Sequence, residues 1–106
     1  MVAENKYQAH IIKRIKEIFP DVLILKNDPS YQQGVPDLVI LWFDCWASLE
    51  VKSSAPANRQ PNQDYFIEKL DEMSFAAYIY PENEEEVLSA LQQAFESPRR
   101  ARVSES

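Results

Sequence analysis

The chain has 106 residues, 17 acidic against 11 basic side chains, a formal net charge of −6, and 45 % hydrophobic residues. That length suits one domain, and that apolar share excludes a chain disordered throughout. A lone cysteine excludes an internal disulfide framework and a multi-cysteine zinc site, and no run of about 18 apolar residues offers a membrane span.

The N-terminus is polar and has no signal-peptide hydrophobic region, so a reducing cytoplasm, in a bacterium or a phage-infected cell, is expected. The acidic balance argues at first sight against a nucleic-acid partner. Yet the charge is unevenly spread. Residues 1–60 are neutral in sum, residues 61–96 carry a net −8, and residues 97–106 a net +2. The acidity therefore belongs to one segment, which need not be the functional one.

The first predicted element is an amphipathic helix over residues 3–19. Tyr7, Ile11, Ile15 and Ile18 recur at helical spacing, with Lys6, Lys13 and Lys16 opposite, and Pro20 stops the helix. Residues 22–25 form a short β run, and Asn27 to Ser30 signal a turn. The apolar run from Val35 to Phe43 reads as a buried strand. Asp44-Cys45 is a plausible tight hairpin connection, followed by a partner strand over 46–52. A polar loop leads to Pro61, which suits the first turn of a helix reaching Met73, with Phe66, Ile67, Leu70 and Met73 inward. A strand over 75–80 ends at Pro81. Asn83 and Glu86 resemble a capping box, opening a helix whose inner face is Val87, Leu88, Leu91, Ala94 and Phe95. The order α-β-β-β-α-β-α predicts one α/β domain over residues 1–96, with 97–106 as a flexible tail.

Chemistry concentrates between Gly34 and Lys52. Gly34, the only glycine, precedes Val35-Pro36-Asp37, and Asp37 opens an otherwise apolar strand. On the next strand Glu50 and Lys52 share a face, because strand side chains alternate. Paired as a hairpin, the two strands bring Asp37 and Glu50 together near their open end. Two carboxylates at the end of an apolar sheet suit a hard cation, and Mg²⁺ takes few carboxylates together with water and phosphate. That is a setting for metal-assisted phosphodiester hydrolysis. Taken alone, a Glu-x-Lys pair is more often a solvated face, and Asp after Pro is common in turns.

Pro36-Asp37 with Glu50-Val51-Lys52, in this frame of elements, resembles the PD-(D/E)xK nuclease superfamily. With Gly34 and the following helix, the chain looks most like stand-alone VRR-NUC nucleases and is similar to phage and archaeal Holliday-junction resolvases. The resemblance spans roughly residues 4–95. It implies a restriction-endonuclease-like α-β-β-β-α-β core, a mixed sheet flanked by helices, with an extra C-terminal helix. It further implies that Asp37, Glu50 and the backbone carbonyl of Val51 ligate Mg²⁺ (or Mn²⁺), and that Lys52 positions the attacking water and stabilises developing charge.

The family pattern asks for an acidic residue on the first helix. Glu4 falls in the middle of the apolar stripe, whereas Glu17 projects away. Glu4 is either an exposed first-turn carboxylate favouring the helix dipole or an inward one beside a metal; the resemblance implies the metal. Asp37 and Glu50 support one ion, and Glu4 alone argues for a second. Gln63 joins the face of Phe66 and Leu70; the resemblance implies that its amide faces the site, and the alternative is a partly exposed first-turn glutamine.

For nucleic-acid contacts the candidates are Lys6, Lys13, Tyr31, Gln33, Gly34 and Arg59, with Arg14, Lys16, Lys26 and Lys52 completing the basic set. Gly34 lets the backbone pass close to a substrate or adopt a conformation barred to other residues. His10 reads as a solvated helix residue, Cys45 as inert, and Trp42 and Trp46 as core or interface residues flanking the hairpin tip. The Glu84-Glu85-Glu86 run favours a helix N-terminus. The expected function is a metal-dependent endonuclease acting on DNA, branched or Holliday-junction in form, as a homodimer, with no membrane partner. The alternative is a catalytically idle α/β module that binds nucleic acid or protein.

Overall fold

The computed structural model describes residues 4–28, 34–55 and 61–96. The predicted tail, together with Tyr31, Gln33 and Arg59, lies outside these residues.

Helix α1 spans Glu4–Ile18 and ends as expected just before Pro20. Strand β1 covers Leu23–Lys26, β2 Leu38–Trp42 and β3 Cys45–Val51. Helix α2 covers Pro61–Met73, strand β4 Ala76–Ile79, and helix α3 Glu84–Glu96 after a 3₁₀ turn at Pro81–Asn83. The four strands form one mixed sheet in the order β1-β2-β3-β4. β1, β2 and β3 pair antiparallel, and β4 joins β3 in parallel through the α2 crossover.

The register explains the sides of the sheet. Leu38 pairs with Leu49, Ile40 with Ala47, and Val51 with Ile79, so these six point one way. They meet Ile11 and Ile15 of α1 and Val87, Leu88, Leu91 and Phe95 of α3 in one core. β3 is central, which is why Ala47–Val51 is buried without a break. α2 lies on the opposite side, against β3 and β4.

Three local expectations change here. The hairpin turn is Phe43-Asp44, one residue earlier than the Asp44-Cys45 reading, because Trp42 pairs with Cys45. Phe43 takes the positive φ of 57° that this short turn requires. The inward face of α2 is shallower than its periodicity implies. Phe66, Ile67 and Leu70 are half-buried and Met73 is exposed, since no residue of α2 is fully enclosed. The Asn83–Glu86 capping box is replaced by an earlier one: Asn83 Oδ1 accepts from the Tyr80 N–H at 2.9 Å.

His10 is not merely solvated. Its Nε2 lies 2.9 Å from Glu84 Oε2, beside the Arg14 guanidinium at 2.7 Å, and Tyr7 Oη donates to Glu84 Oε1. Arg14 also reaches Glu85. Burial pushes the Glu84 carboxyl up, but the donors Arg14, His10 and Tyr7 outweigh it and leave its pKa below the ordinary value. Glu84 thus ties the start of α3 to α1, and Arg14 leaves the phosphate-contact set because two carboxylates already hold it.

Candidate functional site

The β2–β3 register that sets Leu38 opposite Leu49 carries Asp37 opposite Glu50 at the open end of the hairpin. On β4, Tyr78 pairs with Glu50. The pleat sends Asp37 and Glu50 away from the apolar core, to the side on which α2 packs. Pro61 starts α2 and puts Gln63 in its first turn, within reach of Glu50.

The two acids are locked together by backbone. The Asp37 N–H donates to Glu50 Oε1 at 3.1 Å, and the Val51 N–H donates to Asp37 Oδ2 at 3.0 Å. Gln63 Nε2 donates to Glu50 Oε2 at 3.2 Å, and Lys52 Nζ stands 3.5 Å from the same oxygen. Glu50 is 5 % exposed, a burial that a carboxylate tolerates only with such partners. Burial nevertheless pushes its pKa up to about 7, the neighbouring Asp37 charge adding to the effect and Lys52 opposing it. Asp37 is also raised, first by burial; the Val51 N–H opposes this, Glu4's charge adds to it, and Lys52 again lowers it.

Glu4 is exposed, so the reading of it as a side chain turned into the apolar stripe does not hold. It sits in the first turn of α1, and its charge still acts on Asp37. Among the described residues no three His, Cys, Asp or Glu side chains form a group able to hold a metal by themselves. The assembled set is Asp37 and Glu50, with Lys52 and Gln63 on the second acid.

This set fits a divalent cation. Mg²⁺ is commonly held by one or two carboxylates, with water and substrate phosphate completing its shell. Asp37 Oδ1 is not used in the bonds above. Gln63 Oε1 is buried and has no hydrogen-bond partner, a vacancy that buried polar atoms rarely leave. Both carboxyls have raised pKa values, so a cation replacing the proton offsets their repulsion.

Lys6 and Lys13 stand exposed on α1. Gly34 has a φ of +91°, and a Cβ there would come within 2.8 Å of the Asn62 side chain. Its freedom therefore serves a close approach to the first turn of α2, immediately before Gln63. Sequence reading missed Tyr78, whose hydroxyl donates to Asp64 of α2 and so fastens the helix bearing Gln63 to the strand beside Glu50. Alternation along β4 was the available signal, since Tyr78 falls on the Glu50 side.

No protein-family model matches the chain, and no curated protein matches it. Among solved structures, a "VRR_NUC domain protein" is similar with a TM-score of 0.62 and 19 % identity, over 89 % of this chain and 88 % of that one. The chain has the restriction-endonuclease-like fold. Its extra C-terminal helix is α3, and among the described residues no helix is long and apolar enough to cross a membrane.

Proposed function

We propose that this chain is a Mg²⁺- or Mn²⁺-dependent DNA endonuclease, a single nuclease domain over residues 1–96 working in a reducing cytoplasm. The observation that carries the reading is the convergence of Asp37, Lys52 and Gln63 on the buried Glu50, in a fold similar to a VRR_NUC domain protein. Asp37, Glu50 and the Val51 carbonyl would hold the cation, and the charge of Glu4, which acts on Asp37, would add to its attraction. The bound cation supplies Lewis acidity toward a phosphodiester oxygen and the attacking water.

The chain's own groups do the rest. The Asp37 and Val51 N–H groups fix both carboxylates before substrate arrives, so little reorganisation is needed on binding. Lys52 places a positive charge beside Glu50, where it favours the ionised carboxylate and offsets charge developing on the scissile phosphate. Gln63 holds Glu50 with its amide N–H and offers its unpartnered carbonyl oxygen to a water. By the family resemblance, strand scission would leave a 5′-phosphate. Lys6 and Lys13, with Tyr31, Gln33, Gly34 and Arg59, contact the DNA backbone, so recognition is by shape and phosphate rather than base sequence.

Each chain has one such centre. Cutting both strands of a branched or four-way junction therefore needs a homodimer, two-fold by default. The test is incubation of four-way and linear DNA with Mg²⁺, Mn²⁺ or EDTA, with oligomeric state followed by sedimentation. Cleavage that requires metal and prefers the four-way substrate is expected. Lys52→Ala should abolish cleavage while retaining DNA binding. Folded protein with no metal-dependent cleavage overturns the reading in favour of an idle binding module.

A further inference from the structure

Asn27 follows the last residue of β1 and touches both ends of one short segment. Its backbone N–H donates to the Asp37 carbonyl at 2.8 Å. Its side-chain Nδ2 donates to the Pro36 carbonyl. The Pro36 carbonyl and the Asp37 N–H belong to the same peptide group, which is planar and rigid. That N–H is the donor to Glu50 Oε1. A chain of bonds therefore runs from the Asn27 amide through the Pro36–Asp37 peptide to the Glu50 carboxylate.

We propose that Asn27 is a positioning residue for the cation centre, setting the Pro36–Asp37 peptide so that Asp37 and Glu50 hold their shared geometry. Three features support this. Pro36 is fully buried, so its carbonyl needs a protein donor. Proline has no N–H, so this stretch has fewer backbone bonds of its own to fix it. A carbonyl that accepts a hydrogen bond polarises its peptide and strengthens the N–H donor on the other side. Asn27 thus acts on Glu50 without touching it, and on Asp37 through backbone alone. This rests on the metal-centre reading above.

The test measures Mn²⁺ binding by calorimetry in the full chain without DNA, and kcat and KM for cleavage separately. Asn27→Ala should weaken Mn²⁺ binding about 10- to 100-fold and lower kcat, with KM for DNA nearly unchanged. Arg14→Ala is the structural control: it should lower the melting temperature and leave Mn²⁺ affinity within about twofold. Asn27→Ser, which keeps a shorter donor, should fall between wild type and Ala, and it replaces Ala in the comparison if Ala does not fold. Wild-type Mn²⁺ affinity and kcat in a folded Asn27 variant overturn the proposal. Absence of Mn²⁺ binding in the wild type instead sinks the metal-centre reading, and this inference with it.

Discussion

The backbone N–H of Asp37 donates to the side chain of Glu50 at 3.1 Å, so one acid's main chain places the other acid's carboxylate. The bond survives burial that raises the Glu50 pKa to about 7. In the native state Glu50 keeps a proton that the unfolded chain releases near the ordinary carboxylate value. Its contribution to metal-free stability is therefore greatest at acid pH and is lost as pH rises through about 7. We expect stability in EDTA to fall by about 1–3 kcal/mol between pH 5 and pH 8. Glu50→Gln should flatten that slope, and saturating Mg²⁺ should reverse it for the wild type. Urea unfolding at fixed pH values checks all three.

Gln63 supplies the α2 contact to Glu50. Gln63→Leu keeps the volume and removes both amide groups. Cleavage is expected to fall about 10- to 100-fold, with thermal stability within a few degrees of wild type, because α2 encloses none of its side chains fully. Initial rates and melting curves on one preparation decide it. A large loss of stability with unchanged rate would instead make Gln63 a packing residue.

The Glu84 cluster has the opposite pH dependence. Its carboxyl is held below the ordinary pKa by Arg14, His10 and Tyr7 despite burial, so its support is present above that ordinary value and disappears as pH falls below it. Glu84→Ala should cost about 1–3 kcal/mol at pH 7, since it strands the buried Tyr7 hydroxyl. The penalty should shrink at pH 3. Cleavage by the folded fraction should be unchanged, which unfolding curves and rates measured together would reveal.

Phe43 has a left-handed φ of 57° and is 76 % exposed. A bulky residue there is strained, whereas asparagine tolerates the conformation. Phe43→Asn should raise stability by up to about 1 kcal/mol, partly offset by the lost edge contact with Trp42 at 5.2 Å. The midpoint of chemical unfolding is the readout. A fall in that midpoint would mean the ring contact outweighs the backbone strain.

Hydrophobic period, with proline and turn signals marking the ends, located three helices and four strands, even though β1 and α2 bury no residue fully. It also put Asp37 and Glu50 on one face near the open end of the hairpin, because strand side chains alternate, while the exact register followed from the turn at Phe43-Asp44. Turn position resisted the same approach: Phe43 carries none of the usual signals for a positive φ. The depth of α2 was equally hidden, because spacing reports which side chains share a face and not how closely a sheet covers them. Long-range polar contacts left no periodic trace at all. His10 to Glu84 spans 74 residues, and Asn27 to Pro36 depends on a peptide orientation that only the folded hairpin creates.

Glu84 anchors Tyr7 across 77 residues, and the last helix supplies four buried side chains to the shared core. Contacts that distant form late, after the intervening loops have closed. During synthesis both acids emerge well before α3, yet the helical layer that α1 and α3 share over the sheet's apolar face is incomplete until residue 95 has left the ribosome. A chain cut short before α3 would therefore carry Asp37, Glu50, Lys52 and Gln63 without the four α3 side chains that complete the core beneath them.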